Sequence, residues 1–117
     1  MENPVTTRFP LSLVLVLSVA ALGPSQPVGA QTAPREIVVV MDNMNFGRLP
    51  SDAKVGDVIV WDNRDTVLHT ATARDGSFDV RIDPGKRATQ TLTKAGTFAF
   101  YCILHPTMRG TLKVAAS

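Results

Sequence analysis

Cysteine occurs once in 117 residues, at Cys102, so no disulfide can close within the chain. Histidine is almost as scarce, at two, and tryptophan and tyrosine occur once each. An excess of one charge is also missing. Twelve Lys and Arg face ten Asp and Glu, scattered without a run, which excludes a nucleic-acid groove and a polybasic membrane patch. There is no internal repeat and no low-complexity tract. Only one apolar run is long, Leu11 to Leu22, and it falls short of the roughly 20 residues that carry a helix across a bilayer. The length is that of one domain, so one core and one site are sought.

That apolar run sits where export signals sit. Arg8 precedes it, small residues follow it, and Pro24 and Pro27 prevent its extension as a helix. Residues 1–30 therefore read as a secretory signal peptide, cut after Val28-Gly29-Ala30 and before Gln31. No cysteine near the cut suggests a lipid anchor, and no twin arginine precedes the run, so the general export route and a periplasmic location are expected, with no membrane span after cleavage. Glu2 and Arg8 cancel, leaving residues 31–117 with the same net charge of +2 as the whole chain. An exported domain this small commonly supplements its core with disulfides or a metal, and the lone cysteine leaves the metal.

Beyond Gln31 no sustained helical periodicity is present. Ile37 to Val40 is a β-branched run, and Val58 to Asn63 alternates, with Val58 and Val60 on one face and Ile59 and Trp61 on the other. Further strands are expected at His69 to Ala73, Thr89 to Thr93, Thr97 to Cys102 and Thr111 to Ala115. Turn signals stand at Lys54-Val55-Gly56-Asp57, Arg74-Asp75-Gly76, Asp83-Pro84-Gly85 and Lys94-Ala95-Gly96. About six to eight short strands predict an all-β, two-sheet Greek-key β-sandwich over residues 31–117.

The chemistry is concentrated in Phe98-Ala99-Phe100-Tyr101-Cys102-Ile103-Leu104-His105-Pro106-Thr107-Met108-Arg109-Gly110. Strand alternation turns Phe98, Phe100 and Cys102 to one face, which puts the thiol on the apolar, inward side. His105 and Met108 follow at once, so a thiolate, an imidazole and a thioether share one short segment. Taken singly, a cysteine is often a small buried hydrophobe and a methionine core filler. An exported protein with an unpaired thiol needs a reason to keep it, and metal ligation protects it from oxidation. A trigonal His₂Cys set with a long axial Met is the ligand set of electron-transfer copper, and His69, at a predicted strand start, is the only other histidine. Zinc also accepts Cys and His, although Met108 argues against it. Copper storage or delivery is the alternative to electron transfer, with slight support from Met41 and Met44.

Cys-x-x-His-x-x-Met followed by Arg-Gly resembles the ligand loop of the cupredoxins, the type 1 blue copper proteins, in its form shorter than the loops of plastocyanin and azurin. Tyr101, Cys102, His105-Pro106 and Met108-Arg109-Gly110 match that loop. Val55-Gly56-Asp57, Trp61 with Asn63-Arg64, His69 and Ala95-Gly96-Thr97 fall in order across nearly all of residues 31–117. The resemblance implies one copper ion held by His69, Cys102, His105 and Met108, with Met108 long and axial and His105 partly exposed. It implies that Asn63 ties the two ligand-bearing loops together and that His105 can protonate and leave Cu(I). It also implies a monomeric carrier of single electrons with transient redox protein partners, an amine dehydrogenase and a c-type cytochrome among them. Docking is expected on an apolar patch near Leu68, Leu104 and Pro106. Catalysis is not expected: four protein ligands leave no open position, and two histidines cannot build further copper centres. There are departures from the short-loop pattern. Leu68 and Leu104 stand where prolines precede each histidine, and Thr70 stands where Asn is common. Leu104 restores an N–H that can donate to the thiolate sulfur and so alter the potential.

Overall fold

The computed structural model describes residues 2, 4, 10, 12, 14–25 and 33–117. The expected cleavage site at Val28-Gly29-Ala30 lies outside the described residues, as does Arg8. Residues 14–25 form neither helix nor strand and are exposed. Among the described residues no helix is long and apolar enough to cross a membrane.

Among the described residues nine strands follow: β1 (Glu36–Asp42), β2 (Asn45–Phe46), β3 (Ala53–Lys54), β4 (Val58–Asn63), β5 (His69–Ala73), β6 (Asp79–Ile82), β7 (Arg87–Thr91), β8 (Gly96–Cys102) and β9 (His105–Ala115). They form two mixed sheets, ordered β2-β1-β4-β7 and β3-β9-β8-β5-β6. The pairs β1–β4 and β3–β9 are parallel and need crossovers; the other pairs are antiparallel. The expected all-β sandwich is the observed architecture, with Gly56 and Gly85 taking the positive φ that their turns require.

The core lies between the sheets. Trp61, Ile59 and Met41 from one sheet meet Phe100, Ile82, Met108 and Leu112 from the other, all fully buried. Trp61 and Phe100 pack edge to face with centroids 5.5 Å apart, Phe46 packs against both, and the Trp61 indole N–H donates to Gln90 Oε1 at 3.0 Å. Alternation along β8 buries Phe98, Phe100 and Cys102 as expected. Along β4 burial does not alternate, because this strand is central in its sheet and its outer face is also covered. There Asp62 lies under Arg64 and Arg87, at 3.3 and 3.2 Å.

The strands differ from expectation in ways that shape the site. β2, β3 and β6 carry too few alternating apolar residues to be read as strands. β7 runs from Arg87 to Thr91, earlier than the expected Thr89 to Thr93. β9 starts at His105 and not at Thr111, so the expected ligand loop is a tight hairpin turning at Ile103 and Leu104. Its register slips between the Cys102–His105 and Tyr101–Arg109 pairings, and Pro106, Thr107 and Met108 bulge out between them. Gly110 then returns β9 to the core: a Cβ there would lie 2.7 Å from Phe100 Cζ and 2.9 Å from Leu49 Cδ1.

Candidate metal centre

Three neighbouring strands bring the ligand candidates together. β8 lies between β5 and β9 and runs antiparallel to both, so the end of β8 meets the starts of the other two. Cys102 is the last residue of β8, His69 the first of β5 and His105 the first of β9. One ligand atom from each lies within 4.8 Å of the others. Cys102 Sγ is 3.8 Å from His69 Nδ1 and 3.6 Å from His105 Nδ1. Those separations suit atoms sharing one ion at bond lengths of about 2.0 Å to nitrogen and 2.3 Å to sulfur. His69 and Cys102 are fully buried, while His105 is half-buried, so one imidazole edge reaches the surface. The rings stand 5.2 Å apart at 75° and are not stacked. Met108 is buried at the end of the bulge and belongs to the core cluster.

The surroundings orient the buried imidazole. His69 Nε2 lies 2.7 Å from Asp65 Oδ2. With a carboxylate at Nε2 the proton is held on that nitrogen, which leaves the Nδ1 lone pair facing the sulfur. The same carboxylate accepts the N–H groups of Asn43 and Met44 at 2.9 and 3.0 Å. These form the β1–β2 turn, and both have positive φ, 51° and 61°. Burial pushes the Asp65 carboxyl up, but the bonds from His69, Met44 and Asn43 outweigh it and hold the group below the ordinary carboxylate range. Sequence reading missed Asp65. The signal was its place four residues before a histidine, which in a loop is not informative.

Two expected contacts are corrected. Asn63 is buried beside the site, but it does not join the two ligand-bearing segments. Its amide donates to the carbonyls of Val67, Ile82 and Asp83, and its Oδ1 accepts the Asp65 N–H, so it fastens the 63–67 loop to the end of β6. The joining residue is Thr70, whose N–H donates to Cys102 Sγ at 3.3 Å and whose Oγ1 accepts the Ile103 N–H at 2.9 Å. Nor does Leu104 donate to the sulfur among the described residues. Leu104 sits in the turn, whereas β5 runs directly beside β8 and presents Thr70 to the thiol. Around the half-buried His105, Leu104 and Ile103 are about half exposed, at 52% and 47%, Pro106 is exposed and Leu68 is half-buried. Met41 lies in the core, which removes it as an accessible thioether; Met44 is exposed.

A β-sandwich with one thiol and two imidazoles converging at a strand end, and a buried thioether three residues on, is the form of a single-copper electron-transfer domain. The model of the cupredoxin-like domain matches residues 11–114, and the chain belongs to that family. Within it the chain is similar to amicyanin, being 31% identical over 91 residues to amicyanin of Paracoccus denitrificans, across 73% of this chain and 70% of the relative. Amicyanin of Paracoccus versutus is 27% identical over 92 residues, with the same coverage. Among solved structures, the oxidised form of a proline-to-alanine amicyanin variant superposes with a TM-score of 0.60 at 30% identity, covering 73% of this chain and 87% of that one. The Cu(I) form of a methionine-to-alanine variant gives 0.59 at 30% identity over the same shares. The chain is thus an amicyanin-like cupredoxin, and its cofactor is copper.

Proposed function

We propose that this chain is an exported type 1 copper protein that carries single electrons in the periplasm, with the ion held by His69, Cys102, His105 and Met108. The observation that carries the reading is the convergence of Cys102 Sγ with the Nδ1 atoms of a buried and a half-buried histidine, at 3.8 and 3.6 Å. Bound there, copper supplies reversible Cu(I)/Cu(II) exchange. The protein supplies an anchored cage. Asp65 fixes the His69 ring, Thr70 holds the thiolate, and the aromatic core beneath keeps water from the inner side. Ligands mounted on three paired strands shift little between oxidation states, which keeps reorganisation small. The half-buried His105 is the exit for the electron, and the apolar side chains near Leu68, Leu104 and Pro106 suit the small, transient contacts of redox partners.

Residues 1–30 act as the signal peptide and residues 31–117 as the working monomeric domain, with an amine dehydrogenase and a c-type cytochrome as the partner types the family suggests. The chain is a carrier and not an enzyme. Titrating the purified domain with Cu(II) tests this: an intense visible thiolate-to-copper band, reversibly bleached by reduction and absent from Cys102→Ser, is expected. A colourless protein that retains only Cu(I) or Zn(II) overturns the reading in favour of storage, delivery or a structural zinc.

A further inference from the structure

The outer face of the five-stranded sheet carries a line of polar groups that copper binding does not itself require. Thr70 and Thr72 alternate along β5 on this face, opposite Arg81 and Asp79 of the edge strand β6. Thr70 Oγ1 accepts the Ile103 N–H at 2.9 Å and lies 3.0 Å from Thr72 Oγ1, which is 2.7 Å from Asp79 Oδ1. Chemistry sets the direction of these bonds. An ionised carboxylate only accepts, so the single Thr72 hydroxyl proton points to Asp79. The Thr72 oxygen then takes the Thr70 proton, and Thr70 is left with lone pairs toward Ile103, where a peptide N–H arrives. The chain runs one way, from the turn between β8 and β9 to an exposed carboxylate, and bonds aligned in this manner polarise one another.

We infer that Thr72 and Asp79, acting through Thr70, are positioning residues for that turn, setting the spacing of Cys102 and His105 from the sheet surface. The inference rests on the copper reading of the site. Only Ile103 and Leu104 separate the two ligands, so the position of the Ile103 peptide governs both. Thr70 is the pivot, because its own N–H donates to Cys102 Sγ at 3.3 Å while its hydroxyl holds Ile103. Asp79 touches no ligand. It fixes the orientation of the two hydroxyls, without which Thr72 could turn its proton toward Thr70 and leave Thr70 to donate elsewhere.

Thr72→Val cuts the chain and leaves the Asp79 charge in place, and valine suits an open strand position. Asp79→Ala removes acceptor and charge together. In the metal-free full chain, hydrogen exchange at the Ile103 N–H is expected to quicken roughly fivefold in either variant, the scale of one lost hydrogen bond. Adding Asp79→Ala to Thr72→Val is expected to change it no further. Unaltered exchange, or effects that simply add, overturns the chain. Because no metal is present, this result stands or falls apart from the copper reading. In the copper-loaded chain, Thr72→Val is expected to shift both the reduction potential and the thiolate-to-copper band. Loss of surface charge alone would move the potential in Asp79→Ala and leave Thr72→Val unmoved, and that pattern overturns the positioning role.

Discussion

Asp65 shows how one side chain serves two elements. Its carboxylate receives the His69 ring at 2.7 Å and the two N–H groups of a turn whose residues have positive φ. A residue with a side chain tolerates that conformation at a cost, so the carboxylate both stabilises the turn and aims the His69 imidazole. Asp65→Ala is expected to lower copper affinity about 10- to 100-fold, the range found when a partner of a metal-bound histidine is lost. Competition with a chelator of known affinity measures it, and unchanged affinity would show that packing alone orients His69. At this scale the cysteine, both histidines and Met108 stand out as ligand candidates, because each is rare in the chain and three of them are close in sequence. Asp65 and Thr70 were not assigned their roles, since Asp and Thr are common and act here through contacts between strands.

At the scale of elements, the β8–β9 hairpin carries most of the site. Phe98, Phe100 and Cys102 were legible as an inward face because a strand alternates its side chains. The start of β9 at His105 was not, because Pro106 and the bulge conceal the pairing that begins before them. Gly110 lies just beyond the bulge, paired with Phe100, where Phe100 and Leu49 leave no room for a methyl group. Gly110→Ala is therefore expected to destabilise the fold by about 1–3 kcal/mol, as overpacking does. Chemical denaturation measures that cost, and a neutral result would mean that the Phe100 ring moves aside freely. The two-residue strands β2 and β3 were invisible for another reason: they exist only through pairing with β1 and β9.

Across the whole molecule, Asp57 ties the segment before β1 to the turn before β4. Its carboxylate accepts the Lys54 N–H at 2.9 Å and the Arg35 guanidinium at 2.8 Å. The Lys54 N–H, and then Arg35, hold this carboxyl below its ordinary range. A folded-state pKa below the unfolded one means that the unfolded chain binds more protons between the two values. The contribution is thus complete above the ordinary carboxylate pKa of about 4 and is lost as pH falls through the lower folded value. The stability difference between the wild type and Asp57→Asn is expected to be constant from about pH 5 to 7 and to shrink below about pH 4. Denaturation across that series decides it; a difference that persists at the acid end would assign the role of Asp57 to geometry and not to charge.

The all-β class, the glycine turns and the candidate ligand side chains are legible without a structure, because alternation, glycine turns and rare ligand types are local properties. How these candidates come together depends on the packed sheets. That β5, β8 and β9 are neighbours, that Thr70 and not Asn63 joins the ligand segments, and that Asp65 reaches His69 all follow from strand order and register. Those are set by the packing of two sheets around Trp61 and Phe100, a balance over the whole core that no short stretch of residues encodes.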